Sequence, residues 1–184
     1  MRPPTPDEAR GWWALAESEG VRDRVFAVYD RASASVEAAR PVCSASGRCC
    51  DFERAGHDLF VTGLEAAVTL RSLPGGIGLD RGSLEHAIDR GTCPFLGGRA
   101  CLVHGVRPGG CRGYYCDPTT SGWSAALSER IAMEIRTLHD TLGVDYLYSE
   151  WRRMLGGFVD AGLTRAPQRN ARGLVELLVS AGGG

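Results

Sequence analysis

Residues 43–50, CSASGRCC, and residues 93–116, CPFLGGRACLVHGVRPGGCRGYYC, together hold all seven cysteines of the chain. They form three groups: Cys43 ahead of the adjacent Cys49 and Cys50, then Cys93 and Cys101, then Cys111 and Cys116. Thiolates bind zinc and hold the irons of sulfur clusters, and such coordination needs ligands arriving from several directions. Short loops and hairpins supply those directions better than one continuous helix. Cys49 and Cys50 follow the turn-prone Ser46-Gly47. Neighbours in extended chain point to opposite faces, so both reach one metal only through a turn. The other options are two neighbouring metals, or a separate task for one of the two. One or two of the seven can also be small buried hydrophobes.

Outward from these stretches the pattern is helical. Trp12, Trp13, Leu15 and Ala16 mark a first helix opened by Pro6 and Asp7 and running towards Gly20. Val21, Val25, Val28, Tyr29, Ala32 and Val36 mark a second, close to a 3.6-residue period. Arg40-Pro41 ends it, because the residue before proline is pushed out of helical geometry. From Asp51 to Val61 the reading is a loop with a short extended piece at Leu59-Phe60-Val61. Thr62-Gly63-Leu64-Glu65 is a capping box that opens a helix running through Leu70. Asp80 or Ser83 caps the next, with Leu84, Ala87 and Ile88 inward and Gly91 closing it. Phe95-Leu96 and Cys101-Leu102-Val103 flank Gly97-Gly98 as a β-hairpin, which brings Cys93 and Cys101 close. Leu127, Ile131, Ile135, Leu138 and Leu142 form a long amphipathic helix ended by Gly143. Asp145 caps a last one carrying Leu147, Trp151, Met154, Leu155 and Phe158. The fold expected is mainly α, with helices flanking a central cysteine-rich loop region that includes a short β-hairpin. Residues 1–163 are one helical domain with a metal-binding cysteine-rich insert at 40–118; residues 164–184 are a linker and a short helical tail.

Composition narrows the function. The 184 residues suit one domain with a real core. All 21 basic residues are arginine, which removes Schiff-base and P-loop lysine chemistry. A net charge of −1 and the lack of a basic, aromatic stripe argue against a nucleic-acid partner. The N-terminus lacks the apolar core of a signal peptide, and no apolar run approaches the ~20 residues of a membrane span. The chain is therefore expected to be cytoplasmic and to keep its thiols reduced, with a protein partner left open. Clustered cysteines in that setting are more often metal ligands than disulfide staples.

Cys43 with Cys49-Cys50, Cys93-Pro94-Phe95-Leu96, Cys101-Leu102-Val103-His104, and Arg107-Pro108 leading to Cys111-Arg112 resemble the YkgJ-type cysteine-cluster family of zinc- or iron-chelating domains. The resemblance covers about residues 40–118 and implies metal chelation by these cysteines. A related segment in flagellin lysine methylases, where an iron–sulfur cluster is expected, puts an iron–sulfur cofactor (4Fe–4S) ahead of zinc. Family members often carry a further cysteine ahead of the pair, where this chain has only Cys43. Seven cysteines cannot fill two four-cysteine sites, so either one site uses four or a second needs another ligand.

His57, with Asp51 and Glu53, is the nearest candidate for a mixed site suited to zinc or non-heme iron. The plainer role for His57 is a hydrogen bond within its loop. His104 reads as packing, and His86 and His139 as ordinary helix residues. Arg48, Arg107 and Arg112 sit beside cysteines and could donate to metal-bound sulfur. Three functions remain open. The first is a metal-binding protein for electron transfer, metal handling or a structural site. The second is a metal-dependent enzyme with an open coordination position near His57, with Tyr114 or Tyr115 lining its pocket. The third is a zinc-stabilised interaction module.

Overall fold

The computed structural model describes residues 2–43, 46–115 and 120–166. Among these, the architecture is mainly helical, as the periodicities predict. Helix α1 (Pro6–Leu15) begins at Thr5, whose side chain accepts from the Glu8 amide while Glu8 reaches back to the Thr5 amide. Helix α2 (Glu19–Ala39) stops where expected: Arg40 leaves right-handed helical geometry at φ 48° immediately before Pro41. A one-turn helix α3 (Phe52–Ala55) stands in the segment read as loop. Asp51 explains it, because its side chain caps the Arg54 amide.

Strand β1 (Phe60–Thr62) leads into α4 (Gly63–Arg71) through the capping box read from sequence, with Thr62 and Glu65 each satisfying the other's backbone amide. Every residue of α4 from Gly63 to Leu70 is buried, so it is the axis of the core. Helix α5 (Arg81–Asp89) is capped by Asp80 rather than Ser83. Leu84 and Ala87 point inward as expected, but Ile88 is 48% exposed.

The hairpin is present as β2 (Leu96–Gly97) and β3 (Ala100–Cys101), with Leu96 opposite Cys101. Its turn lies one residue later than expected, at Gly98 and Arg99, with Gly98 at φ 61°. The short helix α6 (Gly109–Gly113) carries Cys111. Helix α7 (Ser121–Leu142) ends at Gly143 in left-handed geometry, as expected.

A strand that periodicity did not suggest, β4 (Tyr148–Glu150), pairs antiparallel with β1. Helix α8 (Trp151–Asp160) follows it directly. Its cap is Glu150, which accepts from the Arg153 amide, and not Asp145. The Asp145 carbonyl instead accepts from Trp12 Nε1 and the His139 ring, tying α1 to the end of α7.

Helices α1, α4 and α8 pack together, with Trp12, Leu64, Leu155 and Phe158 among the buried side chains; α2 and α6 lie against α7. Because α4 falls between the first and second cysteine groups, the cysteine-bearing stretch is threaded through the core rather than set apart from it. Most of the expected tail, residues 167–184, lies outside the described residues. Among those described, no helix is long and apolar enough to cross a membrane.

Candidate metal centre

Three loops are folded onto one another around the thiols. Cys49 and Cys50 lie on a single 3-10 turn, Arg48–Cys50, entered through Gly47 at φ 69°. A side chain at Gly47 would meet the Arg99 carbonyl at 2.7 Å, so glycine also lets this turn sit against the hairpin tip. The Cys93 amide donates to the Cys50 carbonyl at 2.7 Å, and Asp51 bridges to Thr92. These bonds place Cys93 beside the adjacent pair, while the hairpin returns Cys101 to the same region.

The third loop, Arg107 to Cys111, is held from below by a buried polar chain. Glu65 Oε1 accepts from the Gly109 amide at 3.0 Å and from the Tyr29 hydroxyl at 3.2 Å. The Arg112 guanidinium lies over the Tyr29 ring, 4.5 Å from its centroid. It also donates to the carbonyls of Arg107 and Gly105. Thr69 Oγ1 donates to the Val106 carbonyl, fixing the preceding turn to α4.

The result is a small cavity, about 30 Å³, lined by five thiols: Cys49, Cys50, Cys93, Cys101 and Cys111. Phe52, Val103 and Trp151 supply apolar walls, and His57, Arg107 and Tyr114 complete the lining. Cys50 lies against Cys101, Cys49 and Cys93, and these neighbours together with burial drive its own pKa far up. The same contact with Cys50 draws the Cys49 and Cys101 thiols down, in each case helped by the charge of Arg107. Burial pushes the Cys111 thiol up.

Among the described residues, no three His, Cys, Asp or Glu side chains stand in an arrangement that would hold a metal ion as they are placed. The donor chemistry of the thiols nevertheless fits a thiophilic metal, since the thiolate is the ligand form.

The remaining sequence candidates divide clearly. Cys43 is exposed and does not line the cavity; Cys116 lies outside the described residues. Asp51 caps α3, and Glu53 is exposed with its side chain against Gly91, so neither carboxylate joins the cavity. His57 does line it. Its Nε2 lies 3.2 Å from the Cys49 carbonyl, and its ring stacks on Tyr114 with centroids 4.0 Å apart. The loop hydrogen bond expected of His57 is thus present at the cavity wall. Tyr114 lines the cavity and Tyr115 packs against Trp123 instead. His104 is exposed and paired with Arg107 rather than packed, His86 is exposed, and His139 is fully buried.

Of the three arginines, Arg48 is exposed, Arg112 is spent on backbone carbonyls and Tyr29, and Arg107 faces the thiols. The part of Tyr29 and Glu65 had no signal of its own in the sequence. Glu65 was visible only as half of a capping box.

No family model, no curated protein and no solved structure matches this chain.

Proposed function

We propose that this chain is a metal-binding protein whose thiolates, drawn from Cys49, Cys50, Cys93, Cys101 and Cys111, hold an iron–sulfur cluster. The observation that carries the reading is the convergence of five thiols from three separate loops on one cavity beside an arginine. Packing alone does not call for this: five small hydrophobes would fill the same space without polarising one another. A bound cluster would supply one-electron transfer, with the surrounding hydrogen bonds and burial setting its potential. The chain's own contribution is to bring the sulfurs together, exclude bulk water with Phe52, Val103 and Trp151, and provide positive charge.

A single zinc ion is the second reading, because four of the five thiolates suffice to hold it without inorganic sulfide. Zinc bound by four thiolates would serve as a cross-link between loops rather than a redox centre. The enzyme reading has lost its carboxylates and retains His57 and Tyr114 at the cavity wall.

An absorption spectrum of anaerobically purified protein, with iron, sulfide and zinc assayed on the same sample, separates these. A broad visible charge-transfer band with matching iron and sulfide is the expected result. A colourless protein with about one zinc per chain would replace it with the second reading. Protein that stays colourless and metal-free after anaerobic reconstitution, its thiols titrating freely, would overturn both.

A further inference from the structure

Arg107 enters the thiol cavity from the turn before α6. One end of its guanidinium is engaged: Nη1 lies 2.6 Å from His104 Nε2, and the Tyr115 hydroxyl is a further partner. Its Nε is buried and, among the described residues, has no hydrogen-bond partner. A buried cationic N–H without an acceptor is costly, and native structures seldom keep one without a use.

The candidates for that acceptor are few. Among the described residues no carboxylate lines the cavity, and the side chains that recur most in its wall are cysteines. A neutral thiol accepts weakly, whereas a thiolate accepts a charge-assisted bond strongly. Arg112 makes the contrast plain: it is equally close in sequence, but its donors are already used on carbonyls and on Ser33. Arg107 alone of the three cysteine-flanking arginines combines a place in the cavity wall with an unused donor.

We infer that Arg107 is the counter-charge of the metal-loaded site, its Nε–H donating to a metal-bound cysteine sulfur. The inference rests on the metal-binding reading above. Its physical content is that loading fixes the surrounding sulfurs as thiolates, the strong acceptors this donor lacks. Arg107 therefore stabilises the loaded state more than the metal-free one. The favourable influence of its charge on Cys49, Cys101 and Cys111 agrees with that position.

The test compares wild type, Arg107→Gln and Arg107→Lys, each reconstituted anaerobically and titrated with a competing chelator. Arg107→Gln should bind metal about 10- to 100-fold more weakly, and Arg107→Lys should recover part of the loss. If the metal is an iron–sulfur cluster, Arg107→Gln should also lower its midpoint potential, because the reduced form carries more negative charge and loses more from removal of a cation. Urea unfolding of the metal-free proteins provides the control. Metal-free Arg107→Gln should lose less stability than its loss of metal affinity corresponds to, since the substitution also removes the unpaired donor. Wild-type affinity in Arg107→Gln would sink the inference while leaving the metal site intact. An equal loss of stability in the metal-free protein would sink it too, by making Arg107 a structural brace. Wild type that takes up no metal would overturn both readings.

Discussion

Cys50 is held as a thiol while its neighbours Cys49 and Cys101 are drawn towards thiolate, so the five thiols should differ in reactivity although they share one cavity. Alkylation of metal-free protein, followed residue by residue by mass spectrometry, should show Cys49 and Cys101 reacting at lower pH than an ordinary thiol. Cys50 and Cys111 should resist until the solution is strongly alkaline, because only the thiolate is nucleophilic and both are held as thiols. Uniform labelling of all five at one pH would mean that the network does not exist in solution. Glu65 poses a different residue-scale question. It accepts from the Thr62 amide and hydroxyl, the Tyr29 hydroxyl and the Gly109 amide, all buried. Glu65→Ala would strand those donors and should cost about 3 kcal/mol in urea unfolding. Glu65→Gln keeps an acceptor oxygen and should cost roughly half as much. Equal stability of the alanine variant and wild type would remove Glu65 as the anchor of the third cysteine loop.

Helix contacts here depend on small residues at crossings as much as on large ones in the core. Gly63 begins α4 under the ring of Trp12, where a Cβ would lie 2.1 Å from Cε3. Alanine is a better helix former than glycine by about 1 kcal/mol, yet it cannot fit without displacing α1. Gly63→Ala should therefore lower stability by ~2 kcal/mol or more, read as a shifted urea midpoint. A gain in stability would show that α1 yields easily and is not part of the cooperative core. Near the end of α7, His139 is fully buried, with Nδ1 on the Asp145 carbonyl and Nε2 without a partner among the described residues. Burial lowers its pKa, so it is held neutral in the fold. The sign follows from linkage. Stability is full above the unfolded histidine's pKa of about 6.5 and falls as pH drops below it, because the unfolded chain takes the proton first. His139→Asn keeps a donor for the Asp145 carbonyl but cannot titrate. Its stability should fall less than that of wild type between pH 7.5 and pH 5. Parallel curves for the two proteins would assign the acid sensitivity elsewhere.

At the scale of the molecule, two kinds of cohesion meet. The packing of α1, α4 and α8 is apolar and needs no ligand, whereas the cysteine loops are joined by a few backbone bonds and the thiol network. Removing metal from loaded protein should therefore raise hydrogen exchange first in residues 47–52, 92–102 and 107–113, while α4 and α8 stay protected. Earlier loss of protection in α1 or α8 would contradict that division. The same contrast explains what could be read in advance. Capping at Thr5 and Thr62, the end of α2 at Arg40 and the stop of α7 at Gly143 are interactions within about four residues, so local sequence was sufficient for them. So was the mainly helical class, and so was the grouping of cysteines on turns and a hairpin. The pairing of β1 with β4 joins Phe60 to Glu150, and no local pattern specifies a partner that far along the chain. It arises because the packing of α4 against α8 brings the entries of both helices side by side. The same long-range packing sets Cys43 outside the cavity, turns Asp51 and Glu53 away from it, and leaves Arg107 Nε buried without a partner among the described residues. Residue type alone could nominate those groups, but only three-dimensional proximity could sort them.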